Sequence, residues 1–339
     1  MNAWDALFAD LSEHHAQAML DACHDIAVEA DEVVMTTGDE DPALIYVLEG
    51  EVAVVRGGVQ LAVCGAGQII GEMALFRQTP RMAEVVTRAP TRALVLTRAA
   101  YDALVVANNR AVFRLERLIL TQLGERLRRM DGLVTVHADG EVDPYRKPPQ
   151  GFLAQIRSAL LGDPPPDVVP RDFDPVQVLE RSHLFRGERY TLVAGLAGFL
   201  ERGVWAPGEV LCEQGAAGDA IYLIAEGEAD VFVHVAPGRI HKLGTVGRGA
   251  CVGMSALVDG RPRMASVVAT EQVDALVLPK VAFDALVARD GQIQSALRRA
   301  MIRAFADQVE EAGAHLVSLT RPDVPPEITA HVTTEIYTE

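Results

Sequence analysis

The chain has 339 residues, 49% of them apolar and 23% charged, the proportions of an ordinary globular protein with room for two or three cores. Its formal net charge of −16 argues against binding nucleic acid through a basic face and against docking on anionic lipid. The four cysteines, Cys23, Cys64, Cys212 and Cys251, have no CxxC spacing and join no Cys/His cluster, so they read as reduced thiols of a cytoplasmic protein without a metal. The N-terminus carries Asp5 and Asp10 and no basic stretch, unlike a secretory signal. No uncharged apolar run reaches the ~20 residues of a membrane helix. Arginine greatly outnumbers lysine, which reads as a GC-rich, bacterial genome.

In chain order, Leu7 to Ala27 predicts a helix, with Leu11, Met19 and Leu20 at helical spacing. Thr37 to Asp41 is a polar turn before Leu44 to Val55, a strand-like run interrupted at Gly50, where a turn or bulge excludes a side chain. Next comes Ile70-Gly71-Glu72-Met73-Ala74-Leu75-Phe76, a short spacer, and Pro80-Arg81-Met82-Ala83. Ala99 to Met130 is amphipathic, with Val112, Leu115, Leu118, Ile119, Gln122 and Leu127 on one face. Asp139 to Asp174 is a linker, in which Pro148-Pro149 and Pro164-Pro165-Pro166 flank a short amphipathic segment, Phe152 to Leu161.

The pattern then recurs. Gln214 to Asp219 is the turn, and Ile221 to Val233 the strand-like run, interrupted at Gly227. The motif returns as Val252-Gly253-Met254-Ser255-Ala256-Leu257, ending in Pro262-Arg263-Met264-Ala265. Arg81 and Arg263 are 182 positions apart, as are Gly71 and Gly253, but the carboxylate Glu72 has become the thioether Met254. Val281 to Val317 is a second long amphipathic stretch, and Arg321 to Glu339 a polar tail without period.

Short strands bracketed by helices, twice over, predict a mainly β fold with flanking α, an antiparallel barrel or jelly roll in each half, which the family resemblance of the repeated motif narrows to two double-stranded β-helix (jelly-roll) barrels, each with N-terminal and C-terminal helices. The corresponding domains are 1–137, a linker at 138–175, a second domain at 176–319 and a tail at 320–339.

The repeated motif, behind a Gly-Asp turn and a strand–Gly–strand pattern, is similar to the phosphate-binding cassette of cyclic nucleotide-binding domains. Such domains occur in catabolite-activator-like regulators, protein kinase A and G regulatory modules and cyclic nucleotide-gated channels. The resemblance covers about Leu7–Met130 and Ser182–Val317. It implies that Arg81 grips the ligand's phosphate, since a planar guanidinium matches two exocyclic oxygens. A short helix at Met73–Phe76 would add backbone N–H groups. Gly71 would let the backbone approach, and Ala74 and Ala83 would leave space. Glu72 would accept a hydrogen bond from the ribose 2′-hydroxyl. Ile70, Gly71, Glu72, Met73, Ala74, Arg81, Met82 and Ala83 are therefore the candidate ligand site.

Gly253, Met254, Ser255, Ala256, Arg263, Met264 and Ala265 form a possible second site. A thioether is a poor acceptor, so a ribose hydroxyl there loses about 1.5–3 kcal/mol, or on the order of ten- to a hundred-fold in affinity. Arg261 adds a cation that partly compensates. In relatives that prefer guanine, a threonine often follows the cassette arginine; Met82 and Met264 stand there instead, which favours cAMP over cGMP.

No helix-turn-helix follows the long helix, and no kinase, esterase or zinc-protease motif is present, so neither a DNA-binding regulator nor an enzyme is expected. Protein kinase A regulatory subunits also join two such domains, but this chain has a longer linker, shows no basic inhibitor segment before the first repeat, and leaves little room for their N-terminal docking domain. The expectation is a tandem cyclic nucleotide sensor signalling through an effector protein, with a homodimer open through the exposed remainder of the long helices. The alternative is a scaffold whose domains no longer sense anything.

Overall fold

Each repeat closes into two four-stranded antiparallel sheets. The computed structural model describes Phe8 and residues 11–139, 168–236 and 239–320. The chain forms two compact units, residues 1–138 with 290–339, and residues 139–289.

The first unit begins with helix α1 (Glu13–Asp21), capped by the Ser12 side chain, which accepts from His15 N–H. Strands β1 (His24–Val28), β2 (Val33–Met35), β3 (Ala43–Glu49), β4 (Glu51–Arg56), β5 (Val59–Gly65) and β6 (Ile69–Ile70) follow. Helix α2 (Glu72–Arg77) comes next, then β7 (Glu84–Thr87) and β8 (Thr91–Thr97). The sheet orders are β1-β8-β3-β6 and β2-β7-β4-β5. Met35, Val52, Cys64 and Val85 from one sheet pack with Ile45, Val47, Ile70 and Ala93 from the other, the inward half of the period-2 alternation. Gly50 separates β3 from β4 at φ +93°, where a Cβ would stand 2.5 Å from the Pro90 carbonyl.

Two helices complete this part, α3 (Arg98–Val106) and α4 (Arg110–Asp139). The expected single helix over Ala99–Met130 is thus broken. Asn108 adopts φ +55°, and the Asn109 side chain accepts from Ala111 N–H at 2.8 Å to start α4. The expected helix over Leu7–Ala27 likewise stops at Asp21, because His24–Val28 pairs with β8 as an edge strand.

The second unit opens with α5 (Pro175–Arg181), a 3₁₀ turn (His183–Phe185) and α6 (Tyr190–Ala197). Its strands are β9 (Glu201–Trp205), β10 (Val210–Cys212), β11 (Ala220–Glu226), β12 (Ala229–Ala236), β13 (Arg239–Val246) and β14 (Cys251–Val252). Helix α7 (Met254–Asp259), β15 (Ser266–Ala269), β16 (Val273–Pro279) and α8 (Lys280–Ala288) complete it. The sheet orders, β9-β16-β11-β14 and β10-β15-β12-β13, reproduce those of the first unit strand for strand. The predicted fold class, mainly β with flanking helices and two jelly-roll barrels, is the one observed.

The last helix, α9 (Gln292–Thr320), packs with the first unit, whereas the sequence-based range 176–319 had assigned it to the second. Electrostatics explains the pairing. Glu116 of α4, fully buried, accepts from Tyr101 Oη at 2.7 Å, from Ser295 Oγ at 2.6 Å and from Arg298 Nε at 2.9 Å. A carboxylate so placed needs the cations that α9 brings. The expected linker helix over 152–161 and the tail from 321 lie outside the described residues. Among the described residues, no helix is long and apolar enough to cross a membrane.

Candidate functional site

In the first unit β6 leads through Gly71 directly into α2. Gly71 has φ +84°, and a Cβ there would lie 2.7 Å from Arg81 Nη1 and 2.8 Å from the Ala43 carbonyl. Only glycine lets the guanidinium lie against this turn. The helix spans Glu72–Arg77, slightly longer than the predicted Met73–Phe76, and ends at Gln78 in the left-handed region, whose N–H bonds to the Ala74 carbonyl. Ile70, Glu72 and Ala74 are buried, while Met73, Met82 and Ala83 are partly exposed.

Arg81 is held from two sides. Its N–H bonds to the Asp39 carbonyl at 2.9 Å and its carbonyl accepts from Gly38 N–H at 2.8 Å, so the Gly-Asp turn fixes the cassette strand. Its Nη2 donates to the Ala43 carbonyl at 2.9 Å. Burial pulls the guanidinium below its ordinary value, while Asp41, Asp39 and Glu72 act in the opposite sense. Arg81 is 7% exposed, and its Nη1 is buried with no hydrogen-bond partner among the described residues.

Glu72 is 1% exposed. Its Oε1 accepts from Arg126 Nη1 at 2.6 Å, and its Oε2 is buried with no hydrogen-bond partner among the described residues. Arg126 also donates to the Ile69 carbonyl at 2.8 Å. One turn earlier, Gln122 donates to the Gly67 carbonyl and accepts from Ile69 N–H. Helix α4 is thereby fastened to β6, next to the start of the cassette. Burial disfavours the charged Arg126, but Glu72 and Cys64 outweigh it and the guanidinium sits above its ordinary value. Arg126 had no sequence signal beyond its place on an amphipathic helix.

The second cassette has the same backbone and different chemistry. Gly253 has φ +85° ahead of α7. Arg263 N–H bonds to the Ala216 carbonyl, and Gly215 N–H to the Arg263 carbonyl, both at 2.8 Å. The guanidinium is engaged through both terminal nitrogens: Nη1 donates to the Gly253 carbonyl at 2.6 Å, and Nη2 to Asp219 Oδ1 at 2.6 Å and the Ala220 carbonyl at 2.7 Å. Met254 and Ala256 are buried, and Ser255, Met264 and Ala265 are partly exposed. Arg261, expected as a compensating cation, is exposed. Among the described residues no cluster of His, Cys, Asp or Glu is arranged to hold a metal.

The model of the cyclic nucleotide-binding domain family matches residues 26–108 and 203–290, about half of the chain. The chain is 26% identical over 281 residues to a cAMP-dependent protein kinase regulatory subunit of Yarrowia lipolytica, covering 83% of this chain and 58% of that protein. It thus spans about three fifths of that relative's length. Among solved structures it is similar to the regulatory domain of Toxoplasma gondii protein kinase A with cAMP: 21% identity, TM-score 0.33, 86% of this chain and 90% of that one. Another is the regulatory subunit of a cAMP-independent protein kinase A from Trypanosoma cruzi bound to guanosine: 19% identity, TM-score 0.32, 87% and 83% coverage. The curated match is to a fungal protein and gives no support to the bacterial origin read from arginine content. Two barrels of identical strand order, each carrying the glycine-led helix and buried arginine, agree with the family match, and the chain belongs to the cyclic nucleotide-binding domain family.

Proposed function

We propose that the first domain binds a cyclic nucleotide, cAMP in preference to cGMP, and that binding alters a surface through which the protein regulates an effector protein. The observation that carries this reading is the pair of buried, unpartnered polar atoms, Arg81 Nη1 and Glu72 Oε2. A buried unpaired donor or acceptor costs about 1–3 kcal/mol. A phosphodiester oxygen for the first and a ribose hydroxyl for the second would relieve both. Met82, which cannot hydrogen-bond a guanine amino group as a threonine would, favours adenine. Because Arg81 and Glu72 are both closed over, a ligand reaches them only when the cassette moves, and that movement is the signal. A ligand shifts such an equilibrium only by its differential affinity for the two states. The names of the curated relatives make a protein kinase the first class of effector to test.

Calorimetric titration of the nucleotide-stripped protein with cAMP and cGMP tests this. Tight cAMP binding that Arg81→Ala abolishes is expected. Glu72→Ala should weaken cAMP by about ten- to a hundred-fold and leave 2′-deoxy-cAMP nearly unchanged. Equal binding by wild type and Arg81→Ala would sink the proposal and leave the scaffold reading.

A further inference from the structure

We propose that helix α9 latches the first cassette shut through Arg77, and that a nucleotide must open this latch to bind.

The latch lies along a single helix that follows the first unit from end to end. Gln292 Nε2 donates to the Val105 carbonyl at 3.0 Å, at the end of α3. Ser295 and Arg298 donate to the buried Glu116 of α4. Further on, Arg303 Nε donates to the Phe76 carbonyl at 3.2 Å, and Asp307 and Glu310 take the Arg77 guanidinium. A Cβ on Gly313 would stand 2.9 Å from Met130 Cε of α4, and one on Gly57, between β4 and β5, 3.4 Å from Val317 Cγ1. The pairing keeps the register of the repeat. Glu116 and Arg298 are 182 positions apart (298 − 116), as are Arg81 and Arg263. Helix α9 is thus the counterpart of α4 laid against it, and the buried Glu116 contacts fix its position along the cassette.

Phe76 and Arg77 close a helix that opens with Glu72. Six residues span about 9 Å, too short a rod to bend, so its two ends move together. At one end Arg126 of α4 holds Glu72 Oε1. At the other, α9 holds the Phe76 carbonyl and the Arg77 side chain. Glu72 Oε2 and Arg81 Nη1 are buried in this closed arrangement. A ligand reaches them only when α2 shifts, and α2 cannot shift while α9 holds its last turn.

The latch is suited to opening. The side chains of Arg77 and Glu310 are 9% and 4% exposed. The attraction within a buried ion pair is roughly offset by lost hydration, so separating both charges into water is nearly balanced. Glu310 Oε1, buried with no hydrogen-bond partner among the described residues, favours the open side further. Apparent affinity is then the intrinsic one reduced by the fraction of molecules that is open, and nucleotide binding and latch release promote each other equally.

This inference rests on the reading of Arg81 and Glu72 as ligand groups, and the experiment separates the two. In the full chain, Arg77→Met, Asp307→Asn and Glu310→Gln together remove the latch charges and nearly keep the side-chain sizes. Hydrogen exchange without nucleotide is measured first. The amides of residues 70–83 are expected to exchange about tenfold faster than in wild type, as for a closed state released from a roughly 10% open population, while residues 43–49 and 91–97 stay unchanged. In calorimetry the variant is expected to bind cAMP about tenfold more tightly, the opposite of what a loosened fold alone would do. Arg77→Lys, which keeps the cation, should stay near wild type. Should the triple variant fail to give a cooperative melt, Asp307→Asn alone replaces it, with a smaller change in the same direction expected. Unchanged exchange at 70–83 in a folded variant would overturn the proposal. So would cAMP bound by both proteins with equal or lower affinity in the variant. If neither binds cAMP but exchange at 70–83 rises selectively, the ligand reading fails and the latch on the cassette stands.

Discussion

Arg77 Nε lies 2.8 Å from Asp307 Oδ1, tying the last residue of the first cassette helix to the last helix of the chain. Its Nη1 pairs with Glu310, and Arg303 Nε donates to the Phe76 carbonyl at 3.2 Å. The repeat does not copy this arrangement, since the second cassette has Asp259 where the first has Arg77. Helix α9 is therefore fastened to the element that a ligand at Arg81 and Glu72 would move.

Truncating Arg77 leaves Glu310, 4% exposed at its side chain, as a buried carboxylate without this cation. Breaking a buried pair from one side costs about 3–5 kcal/mol. Arg77→Ala should therefore lower the unfolding free energy in urea by roughly that amount, and removing the charges of Asp307 and Glu310 as well should cost little more. A loss of under about 1 kcal/mol would mean the pair behaves as a surface ion pair.

Gly71→Ala puts a methyl group 2.7 Å from both Arg81 Nη1 and Met35 Cε, at a backbone φ of +84°. The strain of a non-glycine residue there costs about 1–3 kcal/mol, and the guanidinium must move. The variant should melt at a lower temperature and lose cAMP binding in titration. A variant that is destabilised but binds normally would show that Arg81 does not need this turn.

Arg126 acts through Glu72, so Arg126→Met should separate orientation from charge. With Glu72 Oε1 released, the carboxylate is free to rotate away from the position a ribose would require. The expected result is a loss of cAMP affinity of about tenfold, and a much smaller loss for 2′-deoxy-cAMP. Equal losses for the two nucleotides would point to a general disturbance of α4 instead.

Asp290 sets an acid-sensitive contact. Burial raises its pKa, but hydrogen bonds and charge from Arg117 and Arg110 outweigh burial and hold it below the ordinary carboxylate value. The Arg117 Nη1 and Arg110 Nε contacts are both 2.8 Å. A depressed folded pKa means the contribution is complete above the unfolded value, near pH 4, and is lost as pH falls through the folded one. Wild type should lose stability below about pH 4 more steeply than Asp290→Asn, measured as the urea midpoint against pH. Parallel curves would refute the assignment.

The strand runs, the turn glycines and both cassettes were legible in the sequence because each rests on local rules. Period-2 burial, a left-handed glycine and a proline–arginine pair at fixed spacing are set within a few residues of one another. The repeat carried this further, since two copies of one pattern imply one fold twice. Helix ends were less legible. Asn108 and Asn109 break a long amphipathic pattern through backbone angles and a cap that a hydrophobic period does not register.

By itself, then, the sequence determined the barrel class, the two cassettes, and that Met254 had lost the acceptor present at Glu72. The tertiary structure alone decided which charges meet. Arg126 reaches Glu72 across 54 positions, Asp219 reaches Arg263 across 44, and Arg77 reaches Glu310 across 233. The physical reason is that a buried charge must find its partner in space, and separation along the chain places no constraint on where that partner lies.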